Sequence, residues 1–317
     1  MMGCVCPCCG SSAAKSIGKL PDTYVFAGRR LEEPLSGGEL CRCETCELRF
    51  RYPVLGSKYY ESLYDNAIAD NWSAEWERSD WGAITSEVLN RFPAGARVLD
   101  FGCYTGGLLA RLDDRFKKYG VEINRVAAAE AMRSASAIVW NGLLDIPEGE
   151  CFDVVIAADV VEHVENPKAL IVQLMGLVNE SGVLIVTTGD AASYWSRILG
   201  ARWWYCYYPE HIAFVSEAWF EKVFDGSSFL MKFRKFRYFN HSAMRQAAMT
   251  VLACVSGVAP NVYRNVGRVW KMMRGRLGEV APGGLGLGDE HILCVMSRTV
   301  EARSRNESEG LGLGGMA

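Results

Sequence analysis

Short apolar runs alternate with helical patterns between residues 93 and 240, and this alternation limits the possible folds most. The runs are ARVLDFG, KKYGVEI, CFDVVIAAD and SGVLIVTTGD. Helical patterns follow the first three, at GGLLARLDDRF, NRVAAAEAMRS and NPKALIVQLMGLVNE. Such alternation predicts an α/β fold with a parallel sheet covered by helices on both faces. Unbroken apolar runs are typical of strands buried on both sides.

Three further elements are predicted after this region. SEAWFEKVF is a helix that begins after a cap at Ser216, FLMKFRKFRYF alternates like a half-exposed strand, and EHILCVMSR is a last strand.

The loop in VLDFGCYTGG, residues 98–107, indicates a ligand site because ligands bind beyond the carboxyl ends of such strands. Its glycines do not form the Gly-x-Gly-x-x-Gly pattern of a dinucleotide site. Asp100 would repel a pyrophosphate but attract a ligand with ammonium and sulfonium charges. Glu122 ends the next strand, where an acid can bind ribose hydroxyls. The sequence favours an adenosyl-sulfonium ligand; a tight turn with two incidental surface acids is the alternative.

VLDFGCYTGG, YGVEI, FDVVIAADVVEHVENP and SGVLIVTTGD together resemble the core of class I S-adenosylmethionine-dependent methyltransferases. The resemblance implies a Rossmann-like, seven-stranded, doubly wound sheet and S-adenosylmethionine as the cofactor. It implies that the loop lines the methionine end, Glu122 holds the ribose and Asp159 lies beneath the cofactor. The implied cofactor-binding residues are Asp100, Gly102, Tyr104, Gly106, Glu122 and Asp159.

Tyr104 departs from the family pattern, because it stands where the middle glycine of the loop is usual. A tyrosine fits only if it can adopt the backbone conformation required there. Either its side chain points away from the cofactor and towards the substrate, or the site is degenerate.

Seven of the twelve cysteines lie in the first 46 residues. Two C-x-x-C pairs there predict four thiolates around a structural zinc ion with no open coordination position. Cys4, Cys8 and Cys41 leave the ligand set open, and reduced or redox-active cysteines are the alternative. The predicted ligands are Cys6, Cys9, Cys43 and Cys46.

The cysteine pairs, the following aromatic stretch and WWYCYYPEHIAFVS are similar to a subset of bacterial methyltransferases that includes sugar C-methyltransferases. The resemblance implies a role in carbohydrate biosynthesis, with a sugar or glycan precursor as acceptor and the aromatic segment over its pocket. Histidine is a suitable base near neutral pH. His241 and His291 begin a helix and a strand and are set aside. The candidate catalytic residues are His211, Glu210, Tyr208 and His163; the alternatives for the two histidines are a loop anchor and a helix-start residue.

A formal net charge of −3 and AADVVEH, in place of the Asn/Asp-Pro-Pro-aromatic turn of base methyltransferases, argue against nucleic acid as a partner. No secretory pattern or run of about 18 apolar residues is present, which predicts a cytoplasmic protein. Residues 241–277 form either an amphipathic helical cap or a peripheral membrane contact.

The sequence predicts methyl transfer to a small-molecule acceptor. Competing hypotheses are an O-methyltransferase of a quinone-like or phenolic acceptor, and a non-catalytic zinc-binding scaffold with a decayed core. The predicted regions are a zinc-binding, ribbon-like module at 1–52, an aromatic helical lid at 53–92, the cofactor-binding core at 93–240, a helical insertion at 241–289, the last core strand at 290–300 and a disordered tail at 301–317.

Overall fold

A computed structural model describes residues 4–27, 29–64, 78–237 and 289–299. The predicted insertion, except for its last residue, and the predicted tail lie outside the described residues, as does the candidate membrane segment 241–277. No helix within the described ranges is long and apolar enough to cross a membrane.

The described residues form strands and α-helices joined by short 3₁₀ turns. The strands are β1 Ala14–Lys19, β2 Thr23–Phe26, β3 Arg29–Leu35, β4 Glu39–Cys43, β5 Arg49–Tyr52, β6 Arg97–Phe101, β7 Lys117–Val121, β8 Ile138–Trp140, β9 Phe152–Ala158, β10 Val178–Gly189, β11 Ala213–Phe214, β12 Phe229–Phe236 and β13 His291–Arg298. The helices are α1 Ser57–Tyr64, α2 Ser79–Arg91, α3 Gly107–Ala110, α4 Arg125–Ala135, α5 Pro167–Gly176, α6 Tyr194–Leu199 and α7 Glu217–Val223.

The chain divides into two compact units. The cysteine unit comprises Met1–Ser79, Gly189–Ser216 and Lys235–His291. The sheet unit comprises Asp80–Thr188, Glu217–Arg234 and Ile292–Ala317. The domain boundaries expected from the sequence stay a prediction.

The sheet unit confirms the predicted α/β class. Its seven strands lie in the order β12-β13-β10-β9-β6-β7-β8, and the pairs from β10 through β8 are parallel. The chain passes from β6 to β7 and β8 on one side and returns through β9 and β10 on the other. The switch point between β6 and β9 is where open α/β sheets bind ligands, at the carboxyl ends of the strands.

The stretch after β6 differs from its predicted helix. GGLLARLDDRF was expected to be helical throughout, yet α3 has four residues. The Asp113 side chain accepts a hydrogen bond from the Arg115 N–H at 3.1 Å. Such local bonding competes with helix formation, so the chain turns towards β7 early.

The cysteine unit contains a four-stranded sheet and a two-stranded hairpin. Its sheet has the order β1-β4-β5-β11, and β2 pairs with β3 as a separate hairpin. β11 comes from far along the chain and pairs antiparallel with β5, with Ala213 opposite Phe50 and Phe214 opposite Arg49. Aromatic residues of segment 203–214 pack in one buried cluster with Leu20 and Leu40. The segment WWYCYYPEH therefore forms part of the core of this unit.

Candidate active site

Three acids lie at one edge of the sheet unit, where neighbouring parallel strands end. Asp100 is opposite Gly120 of β7 and Ile156 of β9, and its side chain is buried. Glu122 follows β7 directly, and Asp159 follows β9 directly. The structure thus brings the predicted acids of the cofactor site to the switch-point edge.

Close packing requires the two loop glycines. Gly102 has φ +78°, and a Cβ atom there would lie 2.9 Å from Val160 Cγ2. Gly106 has φ +80°, and a Cβ atom there would lie 2.9 Å from Ala131 Cα. Both positions combine a left-handed backbone with too little space for a side chain, so the loop lies close against α4 and the end of β9.

Tyr104 adopts the left-handed conformation expected of a glycine at its position, with φ +48°. Its backbone N–H donates to Glu122 Oε2 at 2.9 Å, and the Asn124 N–H donates to Oε1 at 2.8 Å. Burial raises the pKa of Glu122, and these backbone bonds oppose that rise. Asp159 is also left-handed, at φ +54°. Two non-glycine residues in this conformation at one edge are typical of a ligand site.

His163 ends a 3₁₀ turn, Val161–His163, just beyond β9. Its N–H donates to the Val160 carbonyl at 2.9 Å. The preceding Glu162 is buried and accepts a hydrogen bond from Thr188 Oγ1 at 2.9 Å, which fixes the turn against β10. His163 therefore lies at the edge that carries the predicted cofactor residues.

His211 belongs to the cysteine unit and is almost fully buried. Its Nδ1 lies 2.8 Å from the Tyr205 carbonyl oxygen, an arrangement in which Nδ1 must carry the proton and donate it. Nε2 then has the lone pair that a general base needs. The ring centroids of Tyr205 and Tyr208 lie 4.1 Å and 5.1 Å from that of His211.

Comparison with known proteins identifies the family. A family model described as a methyltransferase domain matches residues 73–229. The ubiquinone biosynthesis O-methyltransferase of Xanthomonas axonopodis pv. citri (strain 306) is 31% identical over 167 residues, which cover 46% of this chain and 70% of that protein. The chain belongs to the class I S-adenosylmethionine-dependent methyltransferases.

Two further comparisons cover different shares of the chain. The ubiquinone biosynthesis O-methyltransferase of Maricaulis maris (strain MCS10) is 31% identical over 125 residues, 34% of this chain and 47% of that protein. The chain spans about half the length of this and a second curated relative. The crystal structure of magnesium protoporphyrin IX methyltransferase from Synechocystis PCC 6803 with bound SAH covers 58% of this chain and 94% of that one, with 18% identity and a TM-score of 0.45.

The other two predicted catalytic residues have contacts that suit structural roles. Glu210 Oε1 accepts a hydrogen bond from the N–H of Ala27, a left-handed residue between β2 and β3. Burial raises the pKa of Glu210. Burial first, and Glu210 second, raises the pKa of Tyr208 to about 12, so its phenol stays protonated at neutral pH. His211 is the member of this group best suited to accept a proton.

Arg51 binds the backbone of the segment that carries His211, and the sequence analysis did not identify it. Its buried guanidinium donates to the carbonyl oxygens of Gly37 at 2.7 Å, Cys206 at 3.0 Å, Tyr208 at 3.3 Å and His211 at 3.4 Å. Burial lowers its pKa. In the sequence it stands in RFRYP, which reads as an exposed strand, so no local signal distinguishes it from Arg49.

The sequence analysis gave Glu290 no role and set His291 aside as a residue that begins a strand. Trp204 Nε1 donates to Glu290 Oε2 at 2.5 Å, and the fully buried His291 ring lies 5.3 Å from the Tyr205 ring. Burial raises the pKa of Glu290 to about 7, against the effect of the Trp204 bond. His291 thus packs beside Tyr205 and Glu290 binds the neighbouring Trp204, and the Tyr205 carbonyl is the acceptor for His211 Nδ1.

The four predicted metal-ligating sulfur atoms lie within 4.8 Å of one another. Cys6 Sγ lies 3.6 Å from Cys46 Sγ, and Cys9 Sγ lies 3.6 Å from Cys43 Sγ. Four thiolates placed tetrahedrally at 2.3 Å from zinc are about 3.8 Å apart, so the donor set fits this metal. The sulfur of Cys4 is paired with that of Cys41, outside this group.

The two C-x-x-C turns have the same backbone design. The Gly10 N–H donates to the Cys6 carbonyl at 2.9 Å, and the Glu47 N–H donates to the Cys43 carbonyl at 3.1 Å. Gly10 and Glu47 each follow the second cysteine and have φ +72° and +69°. These paired turns direct four sulfur atoms to one point.

Proposed function

We propose that this protein transfers a methyl group from S-adenosylmethionine to a hydroxyl group of a small phenol-like or quinone-like acceptor. The observation that carries the methyl transfer is the loop of the sheet unit, where Glu122 ties the left-handed Tyr104 to the acidic edge. Support for the acceptor class comes from relatives named as O-methyltransferases of ubiquinone biosynthesis.

Residues at the edge of the sheet unit would bind and orient the cofactor. S-adenosylmethionine supplies an electrophilic methyl group on a sulfonium centre. Asp100 attracts the positive charge of the methionine end, Glu122 accepts hydrogen bonds from the ribose, and the Gly102 and Gly106 backbone admits the ligand closely. Asp159 completes the edge beneath the cofactor. Positioning provides most of the rate, because the displacement itself needs no covalent help from the protein.

We assign proton removal to His211. An acceptor hydroxyl must lose its proton as the methyl group arrives, and His211 Nε2 is the basic nitrogen of the tautomer in which Nδ1 donates to the Tyr205 carbonyl. Glu210 and Tyr208 act as positioning residues, and His163 supports the edge of the sheet unit.

A sugar or glycan precursor is the second candidate acceptor. The cysteine module and the aromatic segment belong to one compact unit, which supports this candidate. The same two sequence features gave the resemblance to sugar methyltransferases. The four cysteines would hold a structural zinc ion in either case, because four thiolates leave no position for a substrate.

The test is a methyl-transfer assay with isotopically labelled S-adenosylmethionine and two acceptor panels, hydroxylated phenols and free or phosphorylated sugars. We expect turnover with at least one phenol. His211→Gln should lower turnover about 10²- to 10⁴-fold, and His163→Gln should lower it less. Full turnover in His211→Gln contradicts the assignment of the base, and turnover with sugars alone contradicts the acceptor class.

A further inference from the structure

A disulfide between Cys4 and Cys41 lies in the cysteine unit, and it joins residues 37 positions apart in sequence. Cys41 is fully buried, whereas Cys4 is 8% exposed. The sequence left both residues open as metal ligands, yet the group of four clustered sulfur atoms contains neither of them. The pair is therefore a second cysteine site, separate from the predicted zinc ligands.

Each cysteine of the disulfide precedes a predicted zinc ligand by two residues, Cys4 before Cys6 and Cys41 before Cys43. Cys41 and Cys43 both belong to β4, where residues two apart point to the same face of the sheet. Cys4 forms an isolated antiparallel bridge with Ala14, the residue of β1 that also pairs with Cys43. The disulfide and a zinc ion would thus cross-link the same two segments of chain.

Two cross-links that close nearly the same loop support each other. A disulfide restricts the open, metal-free chain, so the entropy that zinc must overcome when it draws the two C-x-x-C turns together is smaller. The pairing of β1 with β4 already holds part of this loop. The gain in zinc affinity should therefore be smaller than the full effect of closing the loop.

The disulfide can form and break by thiol–disulfide exchange. Oxidised glutathione and the two cysteine thiols give the protein disulfide and two molecules of reduced glutathione, so two electrons and two protons pass to the reagent. Cys4 is the less buried partner, and we expect exchange to begin at its sulfur atom.

We propose that Cys4 and Cys41 are a reversible redox pair whose disulfide raises the zinc affinity of the cysteine unit. The effect on zinc rests on the proposed zinc site, whereas the disulfide itself does not. The oxidised protein retains zinc against a competing chelator, and the reduced protein releases it more readily.

The test measures the zinc affinity of the full-length, zinc-loaded protein by competition with a chromogenic chelator. One sample is treated with oxidised glutathione and the other with a phosphine, a reductant without a thiol that could bind the metal. We expect reduction to weaken zinc binding about 10- to 10²-fold. Peptide mapping by mass spectrometry checks that the Cys4–Cys41 bond is present in the oxidised sample and absent from the reduced one.

Substitution separates this pair from other effects of the reductant. Cys4→Ala, Cys41→Ala and the double variant should all bind zinc as the reduced parent does and should not respond to the phosphine, because either change removes the whole cross-link. Cys151→Ser is the matched control, at an exposed cysteine of the sheet unit, and should respond as the parent does.

The proposal is overturned if mapping finds no Cys4–Cys41 bond after oxidation, if the oxidised and reduced parent bind zinc equally, or if Cys4→Ala still responds to the reductant. The parent comparison needs no substitution, so it stands even if a variant fails to fold. A parent that carries the bond but holds no zinc contradicts the zinc site, and the effect on zinc affinity with it.

Discussion

In the sheet unit, backbone conformation shapes the predicted cofactor loop, whereas in the cysteine unit buried side chains hold the segment that carries His211. Gly102, Tyr104 and Gly106 are left-handed in the predicted cofactor loop, and one acid, Glu122, binds the backbone of that loop. In the cysteine unit a single guanidinium, that of Arg51, reaches four carbonyl oxygens. The loop of the sheet unit depends on glycines and strand ends, and the His211 segment of the cysteine unit depends on a few buried polar side chains.

This difference has a consequence for stability. The central strands of the sheet unit bury nearly continuous apolar runs, so the loss of one side chain leaves most of its core contacts intact. The cysteine unit has small sheets and a core interrupted by buried polar groups, so hydrogen bonds and the proposed zinc ion should contribute more to its stability. Single substitutions should therefore unfold the cysteine unit while the sheet unit stays folded.

The largest effect is expected from loss of the proposed metal. Cys46→Ser should reduce the zinc content from about one ion per chain to nearly none, because three thiolates hold zinc less tightly than four. Hydrogen exchange should then increase in β1, β4 and β5 and remain unchanged in β6 and β9. Cys151→Ser, at an exposed cysteine of the sheet unit, is the control and should retain the metal. Equal zinc in both variants contradicts the assignment.

Arg51→Met should destabilise the cysteine unit by about 3–5 kcal/mol, because it leaves several buried carbonyl groups without their donor. The control is Arg42→Met, which removes an exposed ion pair with Glu47 worth less than about 1 kcal/mol. Urea unfolding followed by tryptophan fluorescence measures both variants. A cost for Arg51→Met as small as that for Arg42→Met would show that the four carbonyl bonds contribute little.

Glu290 should make stability depend on pH. Its pKa in the folded protein, about 7, is above its ordinary value of 4.5, so the folded state binds the proton more tightly. Its contribution is complete below 4.5 and is lost as pH rises through 7, by on the order of 2–4 kcal/mol. Glu290→Gln keeps an acceptor for Trp204 and should be less dependent on pH between 5 and 8 than the parent. Parallel stability curves for the two proteins contradict this role.

The smallest effect concerns the strained loop of the sheet unit. Tyr104→Gly should be more stable than Tyr104→Ala by about 1 kcal/mol, because only glycine adopts φ +48° without steric cost. Thermal unfolding of the two variants measures the difference. Equal melting temperatures would mean that the loop carries no backbone strain at this position.

The sheet was predictable from sequence because each long strand is a continuous apolar run. Such a run can be recognised without knowledge of tertiary contacts. β8 was missed because it has three residues, too few to give a pattern. The loop motif also predicted which acids lie at the sheet edge. Tyr104 fits the loop with the conformation that its position requires, a fact that only the backbone reveals.

The cysteine unit was less predictable because its key contacts join distant parts of the chain. C-x-x-C spacing is local, so the four clustered sulfur atoms could be named in advance. β11 and its partner β5 are separated by more than 150 residues, and nothing in RFRY or AF indicates the pairing. The roles of Arg51, Glu290 and His291 likewise depend on burial by residues far along the chain.

The most direct test of the central claim, that the acidic edge of the sheet unit holds the cofactor, is calorimetric titration of S-adenosylhomocysteine into the parent protein, Glu122→Ala and, as a control, His211→Gln. The account predicts that the parent binds, that Glu122→Ala binds about tenfold or more weakly because ribose hydroxyls lose their acceptor, and that His211→Gln binds like the parent. Absence of binding in the parent, or equal affinities for the parent and Glu122→Ala, would contradict it.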